Sequence, residues 1–370
     1  MTQLDDSYEV VVIGGGAAGL NAALMLARSR RSVLVIDAGS PRNAPADGVH
    51  GLLAREGMPP LELLERGRAE VRGYGGQVVP GRVVTVDRVR AGDRTAAGAG
   101  EPEPAAGVGE SEPAAGAGEP KAAAGDSDSR RVAADPVGPG HEFRVTLDDG
   151  RVVAARRILV ATGLADELPE VPGLRERWGH DVLHCPYCHG WEVRDQRIGI
   201  LASSVMSVHQ ALLFSQLSDD IVFLAHTADP LSPEDAEKLA ARGIRIVEGE
   251  VAEVLATDRI TGVRLADGTV VDRDALVVAP RMNTRATFLA DLGLTPEPHP
   301  FGMGDHIPAD PVGRTSVPGV WIAGNATDPS AQVGAAAAAG AMAGAQINAE
   351  LVMADTARAV AARSDVGASV

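Results

Sequence analysis

Apolar positions along the chain fall into short β-branched runs, separated by small-residue or amphipathic stretches. Tyr8 to Ile13 is mostly apolar and β-branched, as in a strand buried on both faces. A glycine turn follows, then a small-residue helix from about Ala17 to Ala27 and a second strand, Ser32 to Ile36, ending at Asp37. The pattern next predicts a helix near Leu61 to Val71 and a strand at Val83 to Val86. Order resumes with a strand at Phe143 to Leu147, a turn at Asp148-Asp149-Gly150 and a strand at Arg157 to Gly163. Further strands are predicted at Arg197 to Leu201, Ile221 to Ala225, Ile244 to Val247 and Gly262 to Leu265, with helices at Val205 to Leu217 and Pro233 to Arg242. The chain closes with a strand at Val320 to Ala323 and an Ala/Gly helix from Ala331 to Ala345. Strands alternating with helices predict an α/β fold built on parallel sheets.

Leu168-Pro169, Val171-Pro172 and Gly173 mark a hinge, and Ala275 to Pro280 leads back to the first unit. The expected architecture is therefore two Rossmann-like, three-layer ββα domains, the second inserted in the first. The boundaries are 1–168 with 281–370 for the outer domain and 169–280 for the inserted one. From 91 to 140 the chain becomes Ala, Gly, Pro and Glu, with Glu103-Pro-Ala-Ala-Gly-Val-Gly-Glu110 nearly repeated at 112–119. Such a segment buries too little apolar surface to offset chain entropy, so a disordered insertion in a hairpin connection is expected.

A length of 370 residues suits two domains, each with its own core. The formal charge of −16 argues against nucleic-acid partners, which require a basic face. No membrane span is expected, because Ala331 to Ala345 lacks large apolar side chains. The acidic start, Met1 to Asp6, lacks the basic and apolar regions of a signal peptide, which points to the cytoplasm. In a reducing compartment the only two cysteines, Cys185 and Cys188, are expected to be redox-active or metal-binding instead of a structural staple.

Two motifs carry chemistry. Gly14-x-Gly16-x-x-Gly19 follows a strand and opens a helix, with Ala17 and Ala18 at the helix start and Asp37 at the end of the next strand. The glycines supply a tight turn, close approach to a pyrophosphate and close helix packing, while Asp37 can bind ribose hydroxyls and would repel a 2′-phosphate. Cys185-Pro186-Tyr187-Cys188-His189 places two thiols at disulfide spacing, and Pro186 suits a first helical position, where a helix N-terminus favours thiolate. His189 can move protons near neutral pH. His184 or His189 could join the cysteines on zinc, but no second cysteine pair completes a tetrahedron, and no metal is expected.

On these motifs, with Ala161-Thr162-Gly163, Gly319-Val320-Trp321-Ile322-Ala323-Gly324-Asn325 and Gln332-Val333, the chain resembles the low-molecular-weight thioredoxin reductases, which are FAD-dependent disulfide oxidoreductases. The resemblance implies that FAD is held by the first glycine motif, Thr162, Gly163, Gly324 and Asn325. It also implies backbone donors at Gln332 and Val333, flavin contact by Cys188, interchange by Cys185, and a homodimer. Position 325 is usually Asp in that family. At the second, nicotinamide-binding turn the family's glycines are replaced by Ala202, Ser204 and Ser207, and Asp229 stands where an arginine would pair with a phosphate. NADPH binding is therefore doubtful. Cys185-Pro-Tyr-Cys188-His-Gly-Trp-Glu192 is similar to the motif of dithiol oxidases that close disulfides in natural products such as gliotoxin and holomycin. Pro41-Arg42-Asn43 with His50-Gly51 resembles their flavin-facing loop. The expected activity is oxidation of a small-molecule dithiol, or of a thioredoxin-like protein, with oxygen as acceptor. The alternatives are a thioredoxin reductase driven by NAD(P)H or ferredoxin, and a flavin-binding redox sensor.

Overall fold

The computed structural model describes residues 4–89 and 142–367, so the expectation for 91–140 lies outside the described residues. The chain opens with β1 (Ser7–Ile13), α1 (Ala17–Arg28), β2 (Val33–Asp37), α2 (Pro60–Gly73), β3 (Gln77–Pro80), β4 (Val83–Arg88), β5 (Phe143–Leu147) and β6 (Val152–Val160). These strands form a sheet in the order β3-β2-β1-β6-β5-β4. Val10, Val11 and Val12 are fully buried because Val10 and Val12 pack with α1 and the chain's closing helix, and Val11 with apolar side chains of β4, β5 and Leu289.

A short strand, β7 (Leu164–Glu167), leads into a second set: β8 (Val182–Leu183), α3 (Pro186–His189), β9 (Ile198–Leu201), α4 (Ser207–Phe214), β10 (Ile221–Leu224), α5 (Pro233–Ala241) and β11 (Arg245–Val247). Then come β12 (Val251–Ala256), β13 (Ile260–Leu265), β14 (Val270–Asp272), β15 (Ala275–Val278) and β16 (Arg281–Thr284). The second sheet is parallel and runs β11-β10-β9-β15-β8. Gly262 to Leu265, expected to continue the α/β alternation, instead lies in the centre of an antiparallel meander, β12-β13-β14. The turn at Asp267-Gly268 returns the chain at once, leaving no room for a crossover helix. β7 and β16 pair antiparallel, so the entry to the second set and the exit from it form one two-stranded ribbon.

After a small hairpin, β17 (Glu297–Pro298) and β18 (Asp305–His306), the chain rejoins the first sheet. There β19 (Val320–Ile322) pairs in parallel with β6, and α6 (Val333–Gly367) covers α1. The small residues of α6 are there for this contact. A Cβ at Gly340 would lie 2.0 Å from the Ala18 carbonyl oxygen, and one at Gly344 would lie 2.8 Å from that of Ala22. Helix α6 runs well past the expected Ala345, because its second half is rich in Ala, with Leu351, Met353, Arg358 and Arg363, which favour helix without an apolar stripe. Among the described residues no helix is long and apolar enough to cross a membrane.

Candidate dithiol and dinucleotide site

Parallel strands end on the same side of a sheet, and the ends of β1 and β6 meet the N-termini of α1 and α6 around a cavity of about 690 Å³. The glycine motif shapes this end. Gly14 turns at φ 108°, and a Cβ there would lie 2.3 Å from the Ala161 carbonyl oxygen. At Gly19 a Cβ would lie 1.9 Å from the Gly14 oxygen, so Gly19 serves packing and does not line the cavity. At Gly16, by contrast, a Cβ would meet nothing within 4 Å, leaving the open space that a ligand's phosphates require. The first amides of a helix lack intrahelical partners, and those of Ala17 and Ala18 belong to that turn, as those of Val333 and Gly334 do at α6. Thr162 Oγ1 is buried beside the same cavity without a hydrogen-bond partner among the described residues, a polar atom suited to a ligand. These observations fit a bound dinucleotide.

Asp37 lines the cavity and is held by Arg68 of α2, which donates to Oδ2 at 2.9 Å, while the Gly39 amide donates to Oδ1 at 3.1 Å. Asn325 lines it too, but its amide nitrogen donates to the carbonyl oxygens of Asp328, Pro329 and Ala331 at 3.0, 3.2 and 2.8 Å. Its side-chain NH2 thus braces the loop that presents Gln332 and Val333, a task that a carboxylate at this position would be unable to perform. Gly163 and Gly324 turn with φ of 65° and 74°, which directs their backbone around the cavity rim.

The dithiol closes the far end of the same cavity, next to His184 and His189. Cys185 caps α3, and the Cys188 and His189 amides donate back to its carbonyl oxygen at 3.3 and 3.1 Å. The two Sγ atoms lie 2.6 Å apart, with Cys188 donating to Cys185. That hydrogen bond lowers the Cys185 thiol to about 7 against the opposing effect of burial, aided by the Tyr187 and Cys188 amides and the positive field of Arg42. Cys188 moves the other way, because it gives its proton to the pair and is itself buried. Burial also pushes the His189 and His184 imidazoles down, favouring neutral rings near pH 7.

Arg42 and Asn43 line the cavity from the loop after β2. Arg42 forms a bidentate pair with Asp166 of β7 at 2.8 and 2.7 Å, so its guanidinium is fixed between loop and ribbon beside the sulfurs. His50 lines the cavity from the same loop region, with Nδ1 2.6 Å from Glu56 Oε1 and Nε2 3.5 Å from Glu192 Oε1. Arg68 and Asp166, together with Arg82 and Arg285, are site residues that sequence reasoning did not single out, whereas His184, weighed there only as a zinc ligand, lines the cavity beside the cysteines. The Arg42–Asp166 pair spans 124 positions, and no local spacing signals it.

The second turn, after β9, has a different finish. Ser207 Oγ accepts from the Ser203 and Ser204 amides, both at 3.2 Å, and Ser204 Oγ accepts from the Met206 amide at 3.1 Å. Ser203 Oγ donates to the Ala279 carbonyl oxygen at 3.2 Å. The amides that would face a phosphate are therefore engaged by the loop's own hydroxyls. This closure also delays the start of α4 from the expected Val205 to Ser207.

Residues 8–344 match the family described as pyridine nucleotide-disulphide oxidoreductase. Among curated proteins, the thioredoxin reductase sirT of Leptosphaeria maculans is 28% identical over 365 residues, spanning 95% of this chain and 96% of its own. Among solved structures, HlmI is 41% identical with a TM-score of 0.80 and 99% coverage of both chains. An oxidoreductase from Agrobacterium tumefaciens is 31% identical with a TM-score of 0.75, over 94% of this chain and 99% of its own. With a glycine-lined dinucleotide cradle and a paired dithiol on one cavity, the chain belongs to the pyridine nucleotide-disulphide oxidoreductase family, in its thioredoxin reductase-like branch, and is an oxidoreductase acting on sulfur groups.

Proposed function

We propose that this protein is an FAD-dependent dithiol oxidase that draws electrons from a substrate dithiol through Cys185 and Cys188, delivers them to oxygen, and uses no nicotinamide donor. The observation that carries this reading is the contrast between the two turns. The first leaves open space and free helix amides, and the second engages its own amides through Ser204 and Ser207. The 1–168 and 281–370 segments form the FAD-binding unit in this reading, and 169–280 carries the dithiol.

Gly14, Gly16 and the first amides of α1 would hold the pyrophosphate, Asp37 a ribose, and Thr162, Gly163, Gly324 and the Asn325-braced loop to Val333 the remainder. FAD, when bound, supplies a two-electron acceptor that oxygen can reoxidise to release hydrogen peroxide. The chain's own residues manage sulfur and protons. A substrate thiolate bonds Cys185 Sγ, the bond to Cys188 breaks, and the electron pair leaves on Cys188. The second substrate thiolate then attacks its partner sulfur and releases Cys185, whose lowered pKa makes it a good leaving group. His189, kept neutral by burial, accepts a thiol proton. Tyr187 and Trp191, next to the pair in sequence and 65% and 64% exposed, offer aromatic surface to a substrate. A small-molecule dithiol and a thioredoxin-like protein both satisfy this chemistry, in a homodimer like those of the family.

The names of relatives support a second reading, a thioredoxin reductase fed by NADPH, and the closed second turn opposes it. Oxygen uptake with a panel of dithiols tests the proposal: the wild type consumes oxygen, and Cys185→Ser and Cys188→Ser each lose at least about a hundredfold, the usual scale for removing a reacting group. Equal rates in the three proteins would remove the cysteines from the reaction.

A further inference from the structure

Closing a disulfide from two thiols takes two protons off sulfur, and one buried imidazole accepts only one at a time. His189 is such a group, enclosed enough to need an exit for what it receives. The same cavity holds a second imidazole, that of His50. Glu56 Oε1 lies 2.6 Å from His50 Nδ1, and Glu56 Oε2 is fixed by the Gly51 amide at 2.9 Å. A carboxylate in that position orients the ring and holds the proton on Nδ1, leaving Nε2 as the base. Nε2 faces the dithiol segment, with Glu192 Oε1 at 3.5 Å, four residues beyond Cys188. Glu56 itself is open to water, 67% exposed at its side chain, whereas His50 is 22% exposed. The dyad thus joins the cavity that the two cysteines line to bulk solvent.

Resting on the dithiol-oxidase reading, we propose that His50 and Glu56 form a proton exit for the dithiol: His50 Nε2 takes a proton from a substrate thiol, and Glu56 conducts it to solvent. The balance is simple. The thiol S–H loses its proton to Nε2 as its sulfur bonds Cys185, the electron pair of the broken Cys185–Cys188 bond stays on Cys188, and the imidazolium gives up its Nδ1 proton to Glu56 and then to water, the ring regaining its starting tautomer by proton exchange with solvent before the next turnover. The charged groups around the ring are Glu56 from its own loop and Glu192 from the segment after α3, with His189 close enough to sense its charge. Burial weakens His189 as a base, and two carboxylates flank the His50 ring. The family resemblance would have cast His50 as a flavin-facing residue only.

The test uses the FAD-loaded protein, mixed anaerobically with dithiothreitol from pH 6 to 9, following bleaching of the flavin. His50→Gln should slow bleaching about tenfold or more at pH 6.5, within the range for losing a general base, with the deficit vanishing near pH 9, where the thiol ionises by itself. Added imidazole should restore the low-pH rate. Glu56→Gln, at a solvent-exposed position that tolerates change, should show a smaller deficit of the same pH form. FAD affinity, read from flavin fluorescence, should stay within about twofold of wild type in both. A wild-type pH profile in His50→Gln, or a slowing that is the same at every pH and accompanied by weak FAD binding, would overturn the relay. In that case wild-type bleaching would still stand for the oxidase. Failure of the wild type to bleach would overturn both.

Discussion

At Cys185 the decisive physics is local. Its sulfur accepts the Cys188 proton and faces the first amides of α3, and together these outweigh burial, which alone would raise the thiol. In the reduced protein, alkylation by iodoacetamide should therefore rise through about pH 7 at Cys185, since the thiolate forms above that value. In Cys188→Ala the leading hydrogen bond is gone, and the midpoint should move up toward the ordinary thiol range; an unmoved midpoint would show that the helix end alone sets it. The motif was legible because its residues are neighbours, and so was the glycine cradle. The partners that fix Asp37 and Arg42 were not, because Arg68 and Asp166 meet them only through the fold; the carbonyls that hold Asn325 are near in sequence, but the loop shape that gathers them is not written in spacing.

Among the elements, the opening β1-α1-β2 was readable because a buried strand, a glycine turn and a small-residue helix each announce themselves in a few residues. The meander β12 to β14 was not, since a short apolar run has the same appearance in a parallel sheet and in an antiparallel hairpin. The contact between α1 and α6 yields a prediction in which two effects oppose each other. Helix propensity alone makes Gly340→Ala stabilising by about 1 kcal/mol. The added Cβ would meet the Ala18 carbonyl oxygen at 2.0 Å, and backbone on backbone gives way poorly. Urea denaturation should therefore show a loss of about 1–3 kcal/mol, the range for overpacking, with weaker FAD binding as α1 shifts. A gain in stability would mean that the helices separate freely.

For the whole molecule, the first sheet, mixed because β4 and β5 run antiparallel, and the second, all parallel, each carry a strand-turn-helix, but the two turns differ in finish. One ends in an open cradle, and the other in a turn whose serines satisfy its own amides. Substitution of the second glycine set was visible in the sequence as crowding; the hydrogen bonds that close the turn depend on side-chain direction, which spacing does not encode. Electrons then have one entry in this account, the dithiol. The most direct test is anaerobic mixing of the FAD-loaded protein with dithiothreitol and, separately, with NADPH. The account predicts rapid loss of the oxidised flavin absorbance with the dithiol and no change with NADPH. Fast bleaching by NADPH, or a flavin that no dithiol reduces, would contradict it.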